Sequence, residues 1–184
     1  MNKLAVALSA ALALGASATA SAQDGLITFN GEVLADTCEV TFPGTSGPAT
    51  NPVITLPTVS TTSLATIGTT AGRTPFSVQV GSTEKPCTVG TDVAVELNPN
   101  SNASITGGRL NNILNTDNAT GVQVQLIDGS GAPIALNDGA PWTSARTAIT
   151  GGVAVLNFAG EYYASAQAGA GKVSSTVEYT IDYK

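Results

Sequence analysis

Alternation of apolar and polar residues runs through most of the chain after residue 26. A period of two is typical of strands that bury one face, and no long stretch repeats apolar residues at helical spacing without Gly or Pro. Turn signals such as residues 98–100 (Asn-Pro-Asn) and 128–131 (Asp-Gly-Ser-Gly) separate the alternating stretches. The pattern predicts about six or seven strands in an all-β sandwich. The predicted strands cover residues 27–40, 76–80, 93–97, 122–127, 153–163 and 177–184.

Three stretches between these strands lack the alternation. Residues 43–57 are rich in Pro and Gly and predict a loop, with a short strand at 53–56. Residues 98–120 are polar, with Ile113 and Leu114 as their main apolar anchor. Residues 165–172 are small and predict a further loop.

The first residues have the pattern of a secretory signal peptide. Lys3 precedes an apolar run at residues 4–16, and the small residues Ala20 and Ala22 flank Ser21 before Gln23. A run this short does not span a bilayer of about 30 Å as a helix. We expect residues 1–22 to be removed, with cleavage after Ala20 as an alternative. The remainder predicts one exported domain.

Charge is sparse and acidic. Seven Lys and Arg residues face 13 Asp and Glu residues, for a net charge of −6. Nucleic acids and anionic lipids require clustered basic residues, so neither is an expected partner. No direct membrane insertion is expected of the exported chain.

Few residues of the chain are candidates for catalysis or ligand binding. The chain has no His, which excludes His-dependent triads and the common histidine metal centres, and we expect no enzyme, no cofactor and no metal site. The carboxylates of Glu32, Asp36 and Glu39 are interpreted as a solvated strand face. The one Trp, Trp142, is interpreted as local packing rather than a sugar platform.

Two cysteines, Cys38 and Cys87, allow one pairing. In an oxidising compartment an even pair indicates a disulfide. Two free thiols or a metal pair remain the alternative, disfavoured because no further sulfur or imidazole ligand completes a zinc site.

Both ends of the exported chain look like strands, although chain ends are commonly frayed unless something holds them. Near the start, one face carries Ile27, Phe29, Gly31 and Val33. At the end, one face carries Val177, Tyr179, Ile181 and Tyr183, and the other carries Glu178, Thr180, Asp182 and Lys184.

Several segments in a characteristic order resemble the major subunits of type 1 fimbriae, which are chaperone–usher pilins. They are residues 25–38 (Gly-Leu-Ile-Thr-Phe-Asn-Gly-Glu-Val through the first Cys), residues 121–128, residues 157–164 and the next-to-last Tyr183. The second Cys follows the strand at 76–80, as in that family. The resemblance extends over essentially the whole exported chain.

The resemblance implies an incomplete immunoglobulin-like β-sandwich that lacks its last strand and is completed by donor-strand exchange, an established form of β-strand addition. Residues 23–36 would be the N-terminal donor-strand extension and residues 37–184 the pilin domain. Ile27, Phe29, Gly31 and Val33 would enter pockets of a neighbouring subunit. The acceptor groove, which a chaperone contacts first, would include Val177, Tyr179, Ile181 and Tyr183.

The implied function is that of a structural subunit of a type 1-like fimbria, a surface fibre used in cell adhesion. Its partners would be other copies of the subunit, a periplasmic chaperone and an outer-membrane usher, and its route would lead through the periplasm to the cell surface. A minor or adaptor fimbrial subunit, and a single-domain secreted carbohydrate-binding adhesin, remain alternatives. Few residues precede Leu26 compared with many family members, which leaves major and minor subunit open.

Overall fold

The computed structural model describes residues 37–99, 104–137 and 140–184. The predicted signal peptide and donor-strand extension lie outside the described residues. The strands are β1 Val40–Thr41, β2 Thr70–Val80, β3 Asp92–Asn98, β4 Ile105–Thr106, β5 Arg109–Asn111, β6 Val122–Ile127, β7 Trp142–Thr143, β8 Thr147–Ala148, β9 Ala154–Ala164 and β10 Glu178–Tyr183. A short 3₁₀ helix spans Thr61–Leu64.

The strands form two antiparallel sheets. Sheet I has the order β1-β2-β9-β6-β5-β4. Sheet II has the order β10-β3-β7, and β8 also pairs with β3. The all-β sandwich predicted from the alternation is therefore confirmed.

The inward-facing residues of both sheets form the core. On β9 the alternate residues Ala154, Leu156 and Phe158 are buried. Val78 lies beside Leu156 on the paired strand β2, and Val95 of β3 in sheet II belongs to the same core cluster. A smaller cluster contains Leu64, Ala119, Val122 and Ala164. Alternation on two packed sheets produces this core, since every second side chain points between the layers.

The long ladder between β2 and β9 is interrupted once. Its register shifts between Ala71 and Thr74, where Gly72 has a φ of +69°. A Cβ at Gly72 would lie 3.0 Å from the Tyr162 ring. Because of this bulge, β2 begins at Thr70, six residues before the strand that the sequence pattern predicted at 76–80.

The predicted strands at 93–97, 122–127, 153–163 and 177–184 correspond to β3, β6, β9 and β10 within one or two residues. The predicted short strand at 53–56 is wrong: there Val53 makes only an isolated bridge to Ser46. The anchor predicted for the polar stretch is also wrong. Leu110 on β5 is buried there, whereas Ile113 is 40% exposed.

A disulfide joins Cys38 and Cys87, whose Cα atoms are 5.1 Å apart. This confirms the predicted pairing and excludes the metal-pair alternative. The bridge ties the segment before β1 to the segment after β2. Within the described residues, no helix is long and apolar enough to cross a membrane.

Candidate functional site

An open groove of about 950 Å³ lies between the two sheets. Sheet I lines it with Phe76 and Phe158 among others, and sheet II with Val95 and Leu97. These are core-facing positions of their strands, and yet the space above them is open to solvent. The groove is thus a part of the sandwich interior that the described chain leaves uncovered. The further residues of sheet I that line it are Val78, Leu110, Val124, Leu126, Gly160 and Tyr162.

One wall of the groove is the strand β10, which pairs with β3 along its whole length. Lys184 donates its N–H to the Asp92 carbonyl at 3.0 Å, and its own carbonyl accepts from the Asp92 N–H at 3.2 Å. In an antiparallel ladder, hydrogen-bonded pairs alternate with pairs that make no such bonds. The main-chain groups of Tyr179, Ile181 and Tyr183 therefore point away from β3.

Those outward groups meet no further strand among the described residues, because β10 is the last strand of its sheet. A strand edge with unpaired N–H and C=O groups is a template for another strand. The groove and the free edge are adjacent, so a strand that pairs with β10 would also place alternate side chains over the exposed core.

The four C-terminal residues predicted for the acceptor groove share one face of this wall. Val177, Tyr179, Ile181 and Tyr183 are half-buried and pack against the core. Val177 and Tyr179 line the groove itself, whereas Ile181 and Tyr183 are not among its lining residues. Burial raises the pKa of the Tyr179 and Tyr183 hydroxyls above the ordinary value near 10.

The opposite wall is a loop that the sequence did not identify as part of a site. Residues 44–56, here called the groove loop, follow β1, and residues 50–56 line the groove. The Tyr179 hydroxyl donates to the Ala49 carbonyl at 2.6 Å, and the rings of Phe42 and Tyr179 meet edge to face at 5.1 Å. The four prolines of residues 43–57 indicate a loop, but nothing in them specifies which surface the loop covers.

Aromatic rings support the floor of the groove. Phe76 and Phe158 stack at 5.6 Å, and Trp142 packs edge to face on Phe158 at 6.4 Å. Trp142 therefore packs locally against the core, as predicted from the sequence. Gly160 lies beside Leu56 of the groove loop, where a Cβ would come within 3.6 Å of the leucine Cδ2.

A polar network on the other face of sheet I is the second candidate. The Arg109 guanidinium donates to Gln125 at 2.7 Å, Gln125 donates to Glu161 at 2.9 Å, and Arg109 stacks on the Tyr163 ring at 3.6 Å. Gln125 and Glu161 are buried. Their partners lie within the network itself, so it is a structural element of the sheet rather than a ligand platform.

The acidic residues form no catalytic arrangement in the part of the chain that the structure describes. Asp128 accepts hydrogen bonds from the hydroxyl and N–H of Ser130 and from the N–H of Ala132, and these bonds lower its pKa. It is thus a turn residue. Glu39 is exposed and pairs with Lys85 at 3.2 Å. No group of three potential metal ligands occurs among the described residues.

The predicted donor residues Ile27, Phe29, Gly31 and Val33, together with Glu32 and Asp36, lie outside the described residues. The structure therefore describes the predicted acceptor groove but not the segment predicted to fill it.

Comparison with protein families gives a match to the model described as FimA, type-1 fimbrial protein, A, over residues 56–184. The chain is 43% identical over 169 residues to the major fimbrial subunit SMF-1 of Stenotrophomonas maltophilia (strain K279a), an alignment that covers 89% of this chain and 95% of that protein. It is 39% identical over 176 residues to the F17 fimbrial protein of Escherichia coli, with 94% of each covered.

Solved structures show the same fold. The P pilus rod subunit PapA aligns with a TM-score of 0.56 at 14% identity, covering 81% of this chain and all of that one (100%). A subunit of a chaperone–usher pilus aligns with a TM-score of 0.55 at 16% identity, covering 88% of this chain and 96% of that one.

Proposed function

The chain belongs to the type-1 fimbrial protein family and is a structural fimbrial subunit rather than an enzyme, and we propose that it polymerises by donor-strand exchange. Its fold is an immunoglobulin-like sandwich. The observation that carries the proposal is the open core groove beside the outer edge of β10, an edge that no strand among the described residues pairs with. One inserted strand would satisfy both features.

The proposed occupant is residues 23–36 of a second copy of the chain. Its alternating residues Ile27, Phe29 and Val33 would face the apolar floor, which includes Phe76 and Phe158. Burying an Ile, Phe or Val side chain is worth about 1.5–3 kcal/mol each. The intervening polar residues of the donor would face solvent, as alternation requires.

The dimensions of donor and acceptor agree. If residues 27–33 form a strand, at about 3.3 Å per residue they would extend over roughly 20 Å. β10 has 6 residues and is of similar length. Gly31 falls within this span, and the resemblance to type 1 fimbrial subunits implies that it would meet a shallow pocket of the groove that accepts no side chain.

A free subunit with this groove needs a temporary partner. Exposed apolar surface next to an open strand edge is prone to aggregate. We therefore assign the first occupancy of the groove to a strand of a periplasmic chaperone and the delivery step to an outer-membrane usher. Export through the periplasm to the surface fimbria is the route that follows from these partners.

A minor or adaptor subunit is the second candidate. One relative, the minor fimbrial subunit HifD of Haemophilus influenzae, is 32% identical over 176 residues and 89% of this chain. An adaptor subunit, like a shaft subunit, must both give and accept a strand, so the two candidate segments fit either role. The higher identity to the major subunit SMF-1, 43% against 32% for HifD, favours the shaft.

Electrophoresis of protein sheared from the cell surface tests the proposal. Samples are run in detergent with and without boiling. A ladder of multiples that collapses to one band on boiling is expected, because strand exchange gives non-covalent but kinetically locked polymers. A single monomer band in both lanes, with abundant monomer in the medium, would contradict polymerisation.

A further inference from the structure

The groove loop is a compact hairpin in its own right. The N–H of Ser46 donates to the Val53 carbonyl at 3.3 Å, and the N–H of Val53 donates to the Ser46 carbonyl at 2.7 Å. Inside this pair, the N–H of Asn51 donates to Pro48 at 2.9 Å. The hairpin is therefore held together by its own hydrogen bonds, and its position over the groove depends on its contacts with neighbouring elements.

Tyr179 provides such a tie. Its hydroxyl donates to the Ala49 carbonyl at the tip of the hairpin, at 2.6 Å. The Tyr179 ring is half-buried, packs on Phe42 and belongs to the core face of β10, so packing fixes the direction in which its hydroxyl points. Through this one hydrogen bond, the wall that carries the free strand edge holds the loop that forms the opposite wall.

An inserted strand has to enter between those two walls. It would pair with the main chain of β10 at Tyr179 and would lie along residues 50–56, which line the same groove. We propose that the Tyr179 hydroxyl is a latch: its hydrogen bond to Ala49 holds the groove loop across the groove, and insertion of the donor strand requires it to open. This inference rests on the proposed function and assigns the residue that regulates strand insertion.

The size of the effect follows from one hydrogen bond. A hydrogen bond within a folded protein has a small net free energy, which corresponds to a change of about twofold to tenfold in a rate that requires its opening. Removal of the hydroxyl should therefore accelerate insertion within that range. The fold should be retained, because the aromatic ring stays in place.

The test compares the Tyr179→Phe variant with the wild type. Each protein, as residues 23–184, is refolded at low concentration to suppress aggregation and self-assembly and is mixed at once with a large excess of a fluorescent peptide of residues 23–36, and the uptake rate is measured by anisotropy. Tyr183→Phe is the matched control, since Tyr183 lies on the same strand and face, but its hydroxyl is hydrogen-bonded to the main chain of Cys38, outside the groove loop. Faster uptake by Tyr179→Phe alone is expected.

A second variant keeps the test decisive if Tyr179→Phe folds poorly. A Cβ at Gly47 would lie 2.7 Å from the Asn51 carbonyl, so Gly47→Ala distorts the hairpin without touching β10 and should also accelerate uptake. Equal rates for the wild type and both variants, with wild-type uptake occurring, would overturn the latch and leave strand exchange intact. Failure of the wild type to take up the peptide would overturn strand exchange and the latch with it.

Discussion

Gly90 lies directly against the main-chain carbonyl of Lys184. A Cβ at Gly90 would be 2.6 Å from that oxygen, and the residue has a φ of +73°. The same oxygen accepts hydrogen bonds from the N–H groups of Thr91 at 2.5 Å and Asp92 at 3.2 Å. This turn fastens the end of β10, the strand that offers the free edge to a donor.

Replacement of this glycine should loosen the strand. Gly90→Ala adds a Cβ that displaces the Lys184 carbonyl, whereas Gly151→Ala is a control with a similar positive φ and nothing within 4 Å. In each variant the alanine must adopt the left-handed conformation, which costs about 1–2 kcal/mol. We expect a larger loss of unfolding free energy at Gly90, measured by denaturant unfolding. Equal losses would mean that the contact with Lys184 does not matter.

The strands of the sandwich were predictable because alternation reports directly on burial. Residues 122–127 alternate and form β6 without a shift of either boundary. The predicted β2 was too short because the bulge at Gly72 carries the ladder across residues whose alternation is broken. A local pattern does not reveal that a bulge restores pairing on its far side.

Only one wall of the groove, the C-terminal strand β10, was predictable from the sequence. Val177 and Tyr179 were identified from the terminal alternation, and both line the groove. The groove loop was missed as a wall, because the position of a Pro-rich loop depends on long-range contacts such as that between Tyr179 and Ala49. The anchor residue Leu110 was missed for a related reason: its strand, β5, has only 3 residues and too little alternation to be recognised.

Arg146 should contribute to the stability of sheet II by joining two strands. Its guanidinium donates to Asp92 on β3 at 2.8 Å and also to Asp182 on β10. We expect Arg146→Gln to lower the unfolding free energy by up to about 1 kcal/mol, as for a partly exposed ion pair.

The loss should shrink at high salt because screening weakens the pair in the wild type. Lys85→Gln removes a more exposed pair, with Glu39, and should have almost no effect. If the two variants behave alike at every salt concentration, Arg146 does not join the strands energetically.

Loss of the disulfide should lower the amount of subunit that accumulates in the periplasm. The bridge between Cys38 and Cys87 closes a loop with a sequence separation of 49, which the chain-entropy model values at roughly 4 kcal/mol. The double variant Cys38→Ser, Cys87→Ser should accumulate to a lower level, measured by immunoblot of periplasmic extracts. Accumulation at the wild-type level would show that the incomplete sandwich is stable without the bridge.

Alkaline pH should destabilise the subunit through its half-buried tyrosines. Burial raises the pKa of Tyr162, Tyr179 and Tyr183 above the ordinary value near 10. A raised pKa in the folded state contributes stability that is present below the unfolded value and is lost as pH rises through the folded value. The midpoint of thermal unfolding should therefore fall above about pH 10, and less steeply in Tyr179→Phe. A midpoint that does not change between pH 8 and pH 11 would contradict this.

Gly31 should be the residue at which the donor segment tolerates no side chain. If residues 27–33 lie along β10 with their apolar face on the groove floor, Gly31→Leu places a bulky group between Phe29 and Val33 where the proposal requires none. The variant should fold, bind the chaperone through its unchanged groove and fail to enter fibres. Gly25→Leu is the matched control, because it precedes the alternating run and should polymerise. Co-purification with the chaperone and electrophoresis of sheared surface protein separate the two steps. Fibres of normal length from Gly31→Leu would remove Gly31 from the donor strand, and loss of the chaperone complex would place the defect in folding instead.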